Sequence, residues 1–310
     1  MMTPRVSKSN KVTVLLSTYN GSKFLQQQLN SLYEQTYPNI RILVRDDGSS
    51  DSTRSILEKE QLSGRIDILR GHENLGPALS FFKLLRNAAL TETEYVAFCD
   101  QDDVWYPHKI EHAVSALLVV AHNRPALFCS RLEIVDEQLK HIGFTNTPRK
   151  VGFGNALVEN VATGCTMVLN REAMELVCKH LPNKVLMHDW WCYLVLSCFG
   201  EIIFDSNANI KYRQHGNNTI GATVSMFDEL KRKLHRFMYS ERGLLWLQAT
   251  VFLNVFENGI PLSQRLILNK FIAAKSSSWC RVQLIFSKEI WRQKWFDNLI
   301  LQFIMFINRI

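Results

Sequence analysis

The 310-residue sequence lacks a long apolar run. Its longest apolar stretches, residues 243–256 and 299–307, are broken by Gln248 and Asn254 in the first and by Gln302 in the second. A helix that crosses a bilayer needs about 20 mostly apolar residues, so neither stretch predicts a membrane span. Residues 1–11 are polar and carry no apolar h-region, which predicts a chain that is not exported. Seven cysteines occur without a Cys-x-x-Cys pair or a zinc spacing, mostly among apolar neighbours. They read as reduced core thiols of a cytoplasmic protein. No internal repeat or low-complexity tract is present. Acidic charge is scarce at one end only: residues 226–310 hold 13 Lys and Arg against 6 Asp and Glu, whereas residues 1–225 hold 23 of each. The whole net charge of +7 therefore lies in the last quarter, which predicts an anionic partner for that segment.

What is present begins with a repeated strand-turn-helix pattern. Residues 12–16 are an apolar run that ends at Ser17-Thr18-Tyr19-Asn20-Gly21, and Phe24, Leu25, Leu29, Leu32 and Tyr33 follow at helical spacing. Residues 40–44 form a second run, closed by Asp46-Asp47-Gly48-Ser49-Ser50-Asp51, with Asp51 or Ser52 placed to cap the next helix. Residues 66–69 and a helix over 78–89 make a third unit, and residues 95–99 lead into Asp100-Gln101-Asp102-Asp103. Successive units of this kind predict right-handed crossovers and a mostly parallel sheet with helices on its faces. Such sheets bind ligands at the carboxyl ends of their strands. The turns at residues 17–20, 46–47 and 100–103 should therefore share one crevice. Beyond residue 105 the pattern predicts a helix over 109–121, strands near 126–129, 166–169, 202–204 and 210–212, and a helix over 171–180. Long helical patterns take over from residue 225, which divides the chain into 1–225 and 226–310.

Three carboxylates in the four residues 100–103 sit at the end of an apolar strand, where burying them without a counter-ion is costly. A hard divalent cation, Mg²⁺ or Mn²⁺, suits such oxygen ligands and would bridge them to phosphate oxygens. A solvated acidic turn is the plain alternative, as turn and capping chemistry is for Asp46 to Asp51.

Several of these segments together resemble the inverting glycosyltransferases of family 2, which have the GT-A fold. The resemblance rests on Val14-Leu15-Leu16-Ser17-Thr18-Tyr19-Asn20, Gln35-Thr36-Tyr37-Pro38, Asp46-Asp47-Gly48-Ser49-Ser50-Asp51, Asn74-Leu75-Gly76 and Phe98-Cys99-Asp100-Gln101-Asp102-Asp103-Val104-Trp105. It runs in order over about residues 10–220, and is nearest to bacterial transferases that build O-antigen and related surface polysaccharides. It implies a Rossmann-like GT-A domain in residues 1–225. By the same resemblance Ser17, Tyr19 and Asp46 hold the base and ribose of a UDP- or dTDP-linked sugar, Asp100 approaches the ribose or the metal shell, and Asp102 ligates Mn²⁺ or Mg²⁺.

An inverting transfer also needs a general base for the acceptor hydroxyl. Asp189, in Met187-His188-Asp189-Trp190-Trp191, matches the family's catalytic aspartate. His188 departs from the Glu found at its position in many relatives. A helix N-terminus there would favour the ionised carboxylate, and Trp190 and Trp191 are placed to stack on a sugar face; an N-cap followed by core aromatics is the other reading. His215, on the glycine-bearing segment Tyr212-Arg213-Gln214-His215-Gly216, stands where relatives often supply a metal or diphosphate ligand, with Arg213 the lesser candidate.

The tail interleaves Lys231-Arg232-Lys233, Arg236, Arg242, Arg281, Arg292 and Lys294 with Trp246, Phe252, Phe256, Trp279, Trp291, Trp295, Phe303 and Phe306. That mixture fits a peripheral element on the cytoplasmic face of the inner membrane, where the undecaprenyl-linked saccharide acceptor implied by the resemblance would lie. It equally fits an ordinary helical subdomain. No nucleic-acid recognition motif accompanies the basic charge. A nucleotidyltransferase, or a membrane-associated protein that binds nucleotide or sugar without catalysis, would use the same acidic crevice.

Overall fold

The computed structural model describes residues 10–309 except 72, 121–122, 183–184 and 216–242. The boundary expected at 225/226, and Gly216, Asn217, Asn218, Lys231, Arg232, Lys233, Arg236 and Arg242, lie outside the described residues.

Strand β1 (Val12–Thr18) pairs in parallel with β2 (Ile40–Asp46) and with β4 (Tyr95–Cys99), and the two-residue β3 (Asp67–Ile68) extends the sheet beyond β2. Helices α1 (Leu25–Tyr33), α2 (Thr53–Leu62) and α3 (Pro77–Ala89) make the crossovers. This half is parallel as the repeated pattern predicts, and its strands are apolar on both faces because helices cover both. Leu15, Leu43 and Phe98 point to one core; Val14, Leu16, Val44, Ala97 and Cys99 point to the other. The alternation is the two-residue period of a strand, here buried on each side.

The second half is mixed. After β5 (Val104–Trp105) and α4 (Lys109–Leu117), the long β6 (Ala126–Val135) forms a hairpin with β7 (His141–Phe144) and then pairs antiparallel with β8 (Val168–Asn170). β9 (Glu201–Arg213) is one strand where two were expected, and it runs parallel to β6 with register shifts at Ser130–Glu133. β5 and β7 were not expected, because two to four residues carry too little periodicity to read. The strand order β3-β2-β1-β4-β8-β6-β9-β5 brings the ends of β1, β2 and β4 together.

Local chemistry fixes the turns at those ends. Gly76, at φ 75°, turns the chain into α3, and Pro77 opens that helix where no N–H is needed. The fully buried Arg45 bonds to Asp47, whose carboxylate also accepts the N–H groups of Leu75 (2.9 Å) and Gly76 (2.8 Å). A buried charge pair of this kind costs about 3–5 kcal/mol to break from one side. It clamps the segment before α3 to the end of β2. At α2, Ser52 occupies the N-cap position but makes no capping bond; the Asp51 carboxylate accepts the Thr53 N–H at 3.0 Å instead.

Past β8 come α6 (Arg171–Lys179) and α7 (His188–Phe199), with the short α5 (Phe153–Ala156) packed beside α7. The tail supplies α8 (Leu244–Val255), α9 (Leu262–Ala273), α10 (Ser278–Phe286) and α11 (Trp295–Phe306). Phe252, Phe256, Phe271, Leu284, Leu301 and Met305 join the same core as Phe98, Phe153 and Trp191. No helix among the described residues is long and apolar enough to cross a membrane.

Candidate active site

The crevice is built on the turn after β1. Thr18 donates its hydroxyl to Asp46 at 3.1 Å, and Asn20 N–H donates to the Ser49 hydroxyl at 2.9 Å. Asp46 also accepts the Ser49 N–H (3.0 Å), the Ser49 hydroxyl and the Arg54 Nε–H (3.0 Å). Burial alone would raise the Asp46 pKa, but these donors outweigh it and hold the group below its usual range. Both oxygens are thus engaged, so Asp46 acts first by ordering residues 49–51. Ser17 Oγ lies 2.7 Å from Ser80 Oγ on α3, and the Tyr19 side chain is half exposed over the opening.

Gln101 joins this turn to the acidic cluster. Its amide oxygen accepts the Tyr19 N–H and its amide nitrogen donates to the Tyr19 carbonyl, each at 2.9 Å, as a neighbouring strand would. Gly21 leaves room for this pairing, since a Cβ would fall 2.0 Å from Gln101 Oε1.

The three carboxylates diverge. Asp102 Oδ2 lies 2.8 Å from His215 Nε2, although 113 positions separate them in the chain. Asp103 is fully buried; one oxygen accepts the Arg213 N–H at 3.1 Å, and the Cys165 thiol lies beside the carboxyl. It is therefore a buried anchor for β9. Asp100 is pushed up to about 7, first by burial and then by the negative charges of Asp102 and Asp189. Burial, followed by Asp102 and Asp100, raises Asp103 as well. Arg213 directs its guanidinium at the backbone carbonyls of Asp102 and Glu137 and at Gln27, over the Phe24 ring. The buried Lys109 lies 3.4 Å from the centre of the Trp105 ring.

This donor set fits a hard divalent cation. Burial first and then mutual repulsion raise the pKa values of Asp100 and Asp103, and an imidazole stands beside the Asp102 carboxylate. Cys165 Sγ lies within 4.8 Å of the Asp100 and Asp103 oxygens. A hard cation prefers oxygen to sulfur, so Cys165 is a neighbour of such a site before it is a ligand.

Asp189 lies in the first turn of α7. It accepts the Gly164 N–H at 3.0 Å and the Trp190 N–H at 2.6 Å, and burial raises it to about 6 despite those bonds. Its charge reaches Asp100, so the expected base and the acidic cluster share one field. His188 points away into the core. Its ring stacks on Phe81 at 4.0 Å, both nitrogens lack partners, and burial pushes it down to about 3, which keeps it neutral.

Trp190 is partly exposed and donates its indole N–H to Ala156 O at 2.7 Å. Trp191 corrects the expectation that both tryptophans meet a sugar: it is 0% exposed and packs against Phe252 and Phe256, so no face is left for a ligand. Gln101 and Gly164 were not anticipated. Gln101 stood in view between the aspartates, but its partner is 82 residues away; Gly164 carried no signal beyond being a glycine near residue 166.

Comparison with known proteins identifies the family and the fold. Residues 13–120 match the family "Glycosyl transferase family 2". The chain is 31% identical over 233 residues to the dTDP-rhamnosyl transferase RfbG of Shigella flexneri, covering 70% of this chain and 77% of that one. It is 32% identical over 164 residues to WfgD of Escherichia coli, a UDP-Glc:alpha-D-GlcNAc-diphosphoundecaprenol beta-1,3-glucosyltransferase, covering 52% of this chain and 60% of that one. Among solved structures, S. aureus TarS 1–349 in complex with UDP-GlcNAc superposes with a TM-score of 0.56 at 17% identity, over 89% of this chain and 84% of that one. Fold and crevice define an α/β glycosyltransferase of the GT-A type. The chain belongs to glycosyl transferase family 2.

Proposed function

We propose that this enzyme transfers a hexose or deoxyhexose, with inversion, from a UDP- or dTDP-linked donor to a saccharide carried on a diphospholipid, in the synthesis of a bacterial surface polysaccharide. The observation that carries this reading is the meeting of Asp102 with His215 beside Asp100, on the same crevice as the buried Asp189. The donors and acceptor follow from what RfbG and WfgD are named for.

Ser17, Tyr19 and the turn ordered by Asp46 form the side that takes base and ribose, with Asp100 at its edge. Asp102 and His215 hold Mg²⁺ or Mn²⁺. Such an ion, when bound, supplies positive charge against the departing nucleoside diphosphate. Asp189 takes the proton from the attacking hydroxyl. At about 6 it is a stronger base than an ordinary carboxylate and is still mostly ionised at neutral pH. Gly164 N–H and Trp190 N–H fix its two oxygens, and the open face of Trp190 receives the acceptor sugar. Such an acceptor is embedded in lipid, so the enzyme works peripherally on the cytoplasmic face of the inner membrane.

The test is incubation with a panel of nucleotide sugars, Mn²⁺ and a GlcNAc-diphosphate-lipid analogue, with products read by mass. Transfer from a UDP- or dTDP-sugar, abolished by chelator and by Asp189→Asn while donor binding persists, is the expected result. A fully active Asp189→Asn enzyme would overturn the mechanism, and nucleotide transfer without sugar transfer would make it a nucleotidyltransferase.

A further inference from the structure

The tail divides into inward and outward aromatics. Phe252 and Phe256 fill the core, whereas Trp279 is 69% exposed, Phe286 83%, Trp295 68% and Phe306 71%. On α10, Trp279, Val282 and Phe286 recur at spacings of three and four; on α11, Trp295, Leu299, Phe303 and Phe306 do the same. Each set therefore lies along one side of its helix. The opposite sides are spent on the protein, through Leu284 from α10 and Leu301 and Met305 from α11. Gln302 Nε2 donates to Ile285 O at 3.1 Å and ties the two helices together. An exposed apolar surface of this kind marks an interaction site.

The geometry points to the exposed faces of α10 and α11 as the surface by which this enzyme lies on an anionic phospholipid bilayer. Charge selects that occupant. Residues 274–309 hold six Lys and Arg against two acids, and one of those acids, Asp297, is buried. Lys288 and Lys294 are exposed at the edges of the aromatic stripes. A second copy docked through the same face would set this positive charge against its own image, which opposes association. Tryptophan and phenylalanine between lysines and arginines are the composition of an interfacial helix, and helices of 9 and 12 residues lie flat because they are too short to span.

The same surface is fastened to the acceptor side of the active site. Between α10 and α11 the chain crosses residues 149–159: Gln293 accepts the Arg149 N–H (2.8 Å) and donates to Lys150 O (2.7 Å), Asn155 donates to Trp291 O (3.0 Å), and Arg292 donates to Val158 O (3.1 Å). Ala156, in that segment, accepts the Trp190 indole. A bilayer under α10 and α11 would thus be held at a set distance from Trp190 and Asp189. That last step rests on the lipid-linked acceptor proposed above; the docking surface does not.

The experiment is vesicle co-sedimentation of the full-length protein with no acceptor present, using phosphatidylcholine alone and phosphatidylcholine with 30% phosphatidylglycerol. Binding to the anionic vesicles, with a blue shift of tryptophan emission, is expected. Trp279→Ser/Phe286→Ser/Phe306→Ser should weaken it about tenfold or more. Neutralising Lys288 with glutamine should weaken it about fivefold. These side chains are exposed, so thermal unfolding should be unchanged, and the variants should turn over a short-chain water-soluble acceptor as the parent does. Absence of vesicle binding, or unchanged binding by the triple variant, overturns the proposal. So does a parent dimer that the triple substitution converts to monomer, which would make a second copy the occupant. Vesicle binding without sugar transfer to any lipid acceptor would remove the functional reading and leave the surface standing.

Discussion

Asp189 is held in tension between two effects of the same site. Burial raises it to about 6, while the Gly164 and Trp190 N–H groups stabilise its ionised form without restoring the usual value. As the proposed base it acts as the carboxylate, so kcat/KM should fall about tenfold per pH unit below about pH 6 and level off above it. Asp189→Asn should remove that limb along with about 10²–10⁴-fold of the turnover. A pH-rate profile that stays flat from 5 to 8 would exclude Asp189 as the base. The sign for stability is opposite. A carboxyl raised from 3.8 to about 6 favours the fold in its protonated form, so its contribution is full below about pH 4 and is lost as pH rises through 6. At pH 7.5 the parent carries that ionised, buried group at a cost of about 3 kcal/mol, partly offset if the asparagine loses one accepted bond. Asp189→Asn should therefore unfold a few degrees above the parent at pH 7.5 and no higher than it at pH 4, as measured by calorimetry.

At the scale of elements, the site depends on three adjacent strand ends, and the contacts between them are made by side chains acting in place of backbone. Gln101 pairs with Tyr19 as a strand would, and Gly21 leaves the space for it. Gly21→Ala should drive the Gln101 amide out of that position. The displaced group is the end of a flexible side chain, so the melting temperature should change little, while affinity for UDP or dTDP should fall several-fold in titration calorimetry. Unchanged affinity would show that the Tyr19 turn holds its shape without Gln101. These examples also show what could be read before the structure. β1, β2 and β4 were legible because buried parallel strands are continuous apolar runs, and their ends carried Ser17, Asp46 and Asp100 into view. His215 was placed with the metal ligands from its resemblance, and its 2.8 Å approach to Asp102 required β9 to run beside β5. Gln101, Gly164 and the buried side of Trp191 were not legible. Each is defined by a partner 25 or more residues away, and local periodicity carries no information about such a partner.

Across the whole molecule, the basic tail is part of the body that holds the active site. Its helices contribute Phe252, Phe256, Phe271, Leu284 and Met305 to the core on one face of the sheet, where Trp191 stacks near Phe252 and Phe256. Trp191 is two residues from Asp189, so the packing of the tail and the position of the base are linked through a single turn of α7. We expect the full chain to unfold in one calorimetric transition, with no separate melting of residues 244–309. A chain ended at residue 225 would expose Trp191 and Phe153, each a side chain that contributes about 1.5–3 kcal/mol or more when buried. It should bind a hydrophobic dye, lose near-ultraviolet circular dichroism and fail to transfer sugar, while retaining much of its far-ultraviolet signal from the β1–β4 half. Two resolved transitions in the full chain, or a truncated chain that melts cooperatively and binds donor, would show instead that residues 1–225 fold as an independent domain and that the tail serves them only from outside.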